Sequence, residues 1–92
     1  MKIINLEFDS LLVALAGNPY GRKEFDRQVR PHIDNDLDYC LVFPEHIKCV
    51  VSSFVQGFFG YWLESMGVDG IVQHIEIKSK HPELRESIIK NL

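Results

Sequence analysis

Long apolar runs are missing from this chain. None approaches the ~20 consecutive apolar residues that cross a bilayer. The first residues, Met-Lys-Ile-Ile-Asn-Leu-Glu-Phe-Asp, lack the extended apolar core of a secretory signal. These absences speak against a membrane partner and favour a cytoplasmic location. A basic excess is missing too. Ten Lys and Arg stand against thirteen Asp and Glu, for a formal net charge of −3. Neutralising a phosphate backbone needs the opposite balance, so general nucleic-acid binding is excluded. Arg22, Lys23, Arg27 and Arg30 cluster locally, but Glu24 and Asp26 dilute them. Cysteine is scarce. Cys40 and Cys49 lie in apolar stretches and read as reduced, mostly buried thiols.

Catalytic and metal-binding patterns are also lacking. Cys40, His46, Cys49 and His74 have none of the short paired spacings of a structural zinc site. Asp34, Asp36, Asp38 and Glu45 share the spacing of calcium ligands in an EF-hand loop. Tyr39 replaces the glycine that such a loop needs, and an apolar stretch with Pro44 fills the rest. Gly17 to Lys23 lacks the spacing of a phosphate-binding loop and the Ser/Thr after its lysine. Cys49 or Ser53 could be matched with a histidine and an aspartate, but neither has the flanks of a strained nucleophile turn. His32, His46, His74 and His81 read as surface or loop residues. The sequence predicts no enzyme, no metal and no cofactor.

What is present is a core. Of 92 residues, 46% are hydrophobic, enough for one domain over 1–92 with a thin stability margin. Covering a second apolar face with another copy would widen that margin, so a homodimer fits. Residues 2–8 alternate as a first strand. Residues 10–16 are apolar and fit a strand or a helical turn. Residues 17–21 read as a Gly/Asn-Pro turn. From residue 22 to about 33, Phe25, Val29 and Ile33 form one helical stripe, which Pro31 should kink or end near Arg30. Residues 34–38 make an acidic turn. Residues 39–43 are a continuous apolar strand stopped by Pro44, of the kind buried on both faces. Residues 48–51 read as a connection.

The clearest helix starts at Ser52 or Ser53, either of which can cap it. Phe54, Val55, Phe58, Phe59, Trp62, Leu63 and Met66 fall on one broad face, and Gly67 suits the residue past its end. Gly57 and Gly60 cost helix stability and make sense where something packs against the backbone. Tyr61 falls off the stripe and Tyr20 sits in the glycine turn; exposed aromatics of this kind anchor interfaces. Residues 71–77 alternate as a strand. A final helix opens at Pro82, with Leu84, Ile88, Ile89 and Leu92 on one side. Alternating strands and helices predict an α/β fold.

The order of elements, with Gly21-Arg22 opening a helix, the strand 39–43, Ser52-Ser53-Phe54, Phe59-Gly60, Met66-Gly67 and Ile75-Glu-Ile-Lys78, resembles the STAS-like family of unknown function, related to the STAS domains of bacterial anti-sigma-factor antagonists. The likeness runs from about residue 21 to 92. It implies a mixed four- to five-strand sheet covered by helices. It also implies a protein-binding regulatory module, with a kinase-type ATPase or another regulator as partner. In the antagonists a serine at this helix start is phosphorylated, which makes Ser53, with Ser52 beside it, the expected switch; a plain helix cap explains the same serines. Gln56, Tyr20 and Arg22 complete the expected partner-binding set. Two departures limit the transfer. The family favours acidic residues where this chain has Leu41-Val42-Phe43, and again where it has Val55, Gln56 and Gly57. Small size, acidity and those losses also suit an alternative: a phage- or toxin-system inhibitor or immunity protein that blocks a target by charge complementarity.

Overall fold

In the computed structural model, residues 1–35 and 38–92 are described. The expected acidic turn therefore falls partly outside them, at Asp36 and Leu37. In chain order the elements are β1 (Lys2–Asn5), β2 (Ala14–Leu15), α1 (Asn18–Gln28), a 3-10 turn (Arg30–His32), β3 (Tyr39–Val42), β4 (Cys49–Val50), α2 (Ser52–Phe58), α3 (Gly60–His74), β5 (Ile75–Lys78) and α4 (Pro82–Lys90).

The described strands make two parallel sheets instead of the mixed single sheet expected. One has the order β1-β3-β5, and the other pairs β2 with β4. The split has a local cause. Pro44 lies two residues past the end of β3 and Ile47 N–H bonds back to its carbonyl at 3.1 Å, so the chain turns before β4 forms. In the larger sheet Ile4, Leu41 and Ile77 lie in register. Together with Tyr39 and Ile75 they fill the buried face, while Ile3, Asn5, Glu76 and Lys78 on the other face are exposed. Tyr39, Cys40 and Leu41 are fully buried, as the apolar run of β3 requires.

Helix α1 begins four residues earlier than expected. Gly17, at φ 101, turns the chain into it, and Pro19 sits in the first turn, where its missing N–H costs nothing. The helix stops at Gln28, and Pro31 lies in the following 3-10 turn, so the proline limits it as expected. Phe25 and Val29 are buried, and Ile33 is partly buried against the core.

The aromatic stripe of α2 and α3 is the core. Phe54, Phe58, Phe59 and Trp62 are buried, and Phe25 meets Phe58 and Trp62 edge-on at centroid distances of 5.7 and 5.2 Å. Such contacts add ~0.5–1.5 kcal/mol each beyond burial. Gly67 takes the positive φ expected of it, 72, but with ψ 178, a glycine-only conformation that kinks the helix. Helical geometry then resumes to His74, so the strand expected over 71–77 begins only at Ile75. Ile71 and Ile75 are also four residues apart, a helical spacing that the short alternation concealed. From Ile75 the alternation is real: Ile75 and Ile77 are buried, Glu76 and Lys78 exposed. Among the described residues, no helix is long and apolar enough to cross a membrane.

Candidate functional site

The β2–β4 pair brings the starts of α1 and α2 side by side. Ala14 aligns with Cys49 and Leu15 with Val50, and Val51 N–H then donates to Leu15 O at 2.8 Å. Each strand runs almost directly into a helix, α1 through Gly17 and α2 through Val51. The first turns of both helices therefore share one corner.

That corner holds the main correction to the sequence reading. Val51, in extended conformation, is the residue that precedes α2, and its carbonyl accepts from Phe54 N–H at 3.0 Å and Val55 N–H at 3.1 Å. Ser52 and Ser53 are thus the first two helical residues, and neither caps its own helix. Ser53 is half-buried and its Oγ turns the other way, accepting from Gly17 N–H at 2.9 Å. This bond joins residues 36 positions apart and ties the start of α1 to the first turn of α2. Ser52 is exposed.

The other expected site residues divide. Tyr20 lies in the same corner, half-buried, its ring 5.7 Å from that of Phe54. Burial first, and the Glu24 charge next, push its hydroxyl above the ordinary tyrosine range. Gln56 is exposed and its Nε2 donates to Asn91 O at 2.6 Å, which ties α2 to the end of α4. Arg22 is exposed on α1 and lines a groove shared with Asp26, Gly60, Tyr61 and Glu64. Of the expected set, the structure joins Ser53 and Tyr20 around Gly17. It engages Gln56 and Arg22 elsewhere. Tyr61 is partly exposed as expected, with the Arg30 guanidinium 5.0 Å from its ring centre.

The strand pair leading to the corner is largely apolar. On the β2–β4 pair Leu15 and Val50 are buried, while Ala14 and Cys49 face outward. Leu11, Val13 and Val51 nearby in the chain are 88%, 56% and 40% exposed. Val51 lies at the corner itself, whereas Val13 lies at the other end of the β2–β4 pair, where its carbonyl accepts from Lys48 N–H at 2.8 Å.

Two features escaped the sequence reading. Gly17 is one, because no local signal marks a backbone N–H reserved for a distant hydroxyl. Glu24 is the other. It is buried, and it accepts from Arg27 Nη2 at 2.6 Å and Gln28 Nε2 at 2.8 Å. Its spacing to those donors was the available clue. Gln28 also exchanges bonds with the Glu7 backbone at 2.7 and 2.8 Å, which anchors α1 beside the segment after β1.

The cysteines differ from expectation: Cys40 is buried, but Cys49 is exposed. His32 is exposed as expected, whereas His46, His74 and His81 are half-buried. His46 Nδ1 lies 2.7 Å from Leu12 O and His74 Nδ1 2.8 Å from Asp38 Oδ1. Among the described residues, no three His, Cys, Asp or Glu side chains are grouped to hold a metal ion. Compared with known proteins, the chain matches no family model, no curated protein and no solved structure.

Proposed function

We propose that this chain is a non-enzymatic, STAS-like regulatory module that docks a protein partner at the corner where α1 and α2 begin, with Ser53 as its switch. The observation that carries this reading is the bond from Gly17 N–H to Ser53 Oγ, set beside the exposed Val51. A phosphate on Ser53 adds about −1.5 to −2 charge. It would enlarge a half-buried side chain whose oxygen already holds the start of α1. Modification there changes both the charge and the shape of the docking corner. Phosphate on the exposed Ser52 would change charge with far less effect on shape. A kinase-type ATPase is the partner class that the family resemblance implies, and a cytoplasmic setting suits that partner.

Photocrosslinking tests the location. A benzoylphenylalanine is placed at Val51, or at Val72 as a comparably exposed apolar control, and the protein is irradiated in its native host. The reading expects a discrete crosslinked protein from position 51 that weakens when Ser53→Asp is added. Equal crosslinking from both positions, or none from position 51, would overturn it. A nucleic-acid enzyme captured equally with and without Ser53→Asp would instead favour the inhibitor reading.

A further inference from the structure

The carboxyl ends of β3 and β5 open into a groove of about 700 Å³ that shares no residue with the Ser53 corner. Open parallel sheets leave crevices at this end, because the loops leaving neighbouring strands diverge. Here the two loops are stitched together. His81 Nε2 lies 2.8 Å from Glu45 O, Lys80 Nζ lies 3.5 Å from Glu45 Oε2, and Phe43 N–H donates to Lys78 O at 2.9 Å. The groove is therefore walled by contacts between the loops and needs no ligand to form. Its volume falls in the ~300–1,000 Å³ range of small-molecule sites.

The lining has two characters. Val42, Pro44 and Pro82 supply apolar surface, and Lys78, Lys80 and Arg85 supply three positive charges. Glu45 is the acid in the lining, so its lysine, arginine and acidic side chains leave a formal excess of two positive charges, in a chain whose formal net charge is −3. This local reversal favours a small anion over an extended polyanion, which the rest of the surface would repel. Two net charges match a phosphate dianion better than a carboxylate monoanion. The apolar wall asks for an organic body attached to that anion. We infer that this groove binds a small phosphate monoester with an apolar body.

The test uses the full ¹⁵N-labelled chain and phenyl phosphate as probe, followed by backbone amide shifts. Inorganic phosphate, benzyl alcohol and benzoate are titrated separately. The inference expects saturable shifts at Val42, Lys78, Ser79 and Arg85 with phenyl phosphate, and at least about tenfold weaker binding of the other three. A paired Lys78→Glu, Arg85→Glu variant alters two exposed side chains, and unchanged shifts in β1 and α2 will confirm its fold. It should lose at least about tenfold in affinity, while Lys23→Glu on α1 leaves affinity unchanged. Absence of saturable groove shifts, equal binding of benzoate, or an equal loss in Lys23→Glu would overturn the inference. Because no residue is shared with the Ser53 corner, none of these results bears on the proposed docking function.

Discussion

Gly57 lies against the backbone of Asn18, and a Cβ there would fall 2.8 Å from the Asn18 carbonyl carbon and 2.9 Å from its Cα. Gly21 makes the reciprocal approach: its Cβ would lie 2.5 Å from Phe54 O and 2.8 Å from Phe58 N. Helices α1 and α2 therefore meet backbone to backbone, which brings Gly17 within reach of Ser53. Gly60, by contrast, has nothing within 4 Å of a Cβ. Gly57→Ala should destabilise the fold by ~1–3 kcal/mol through overpacking, despite the ~1 kcal/mol that alanine gains in helix propensity. Gly60→Ala should stabilise it by ~0.5–1 kcal/mol. Urea unfolding midpoints check both, and shifts of the same sign would contradict the close crossing.

Ser53→Ala leaves Gly17 N–H without its acceptor in a half-buried place. The expected cost is ~1 kcal/mol, against a few tenths or less for Ser52→Ala. Hydrogen exchange at the Gly17 amide should quicken only in the Ser53 variant. Protection that survives Ser53→Ala would mean that the bond does not hold the corner.

Glu24 predicts an acid limb of stability. Burial alone would raise its pKa, but hydrogen bonds from Arg27 and Gln28, with the Arg27 charge, outweigh burial and hold it below its ordinary 4.5. A depressed carboxylate contributes stability above its unfolded pKa and loses it as pH falls through the lower folded value. The stability difference between wild type and Glu24→Gln should therefore be constant above pH 4.5 and shrink as the pH falls further. Denaturant unfolding at a series of pH values measures it. A difference that widens on acidification would reverse the sign of the argument.

The two thiols should separate by reactivity. Cys49 is exposed, whereas Cys40 is buried, and burial first and Glu76 next raise its thiol pKa. Thiolate is the reactive form, so a thiol reagent should label Cys49 in the native protein and Cys40 only on unfolding. Intact mass against time distinguishes one fast addition from two.

Features written in single residues were legible in the sequence. Pro31 limits α1, Pro82 opens α4, Gly67 takes positive φ, and the aromatic spacing of α2 and α3 becomes core. Their local chemistry suffices. Residues 71–74 were not legible, because four alternating residues fit a helical turn as well as a strand. β4 was missed because two residues, Cys49 and Val50, carry no periodicity. The role of Ser53 was half legible. Its place at a helix start could be read, but its partner depends on how α1 crosses α2. Gly21 and Gly57 permit that crossing without either announcing the other.

Quantitative recovery of a partner by Ser53 variants tests the central claim most directly. The full chain, Ser53→Asp and Ser52→Asp are compared for recovery of the same crosslinked or co-purified protein from the native host, normalised to bait. The account predicts at least about tenfold loss for Ser53→Asp and little change for Ser52→Asp, because only Ser53 Oγ holds Gly17 N–H. Equal recovery by all three proteins, or loss confined to Ser52→Asp, would contradict it.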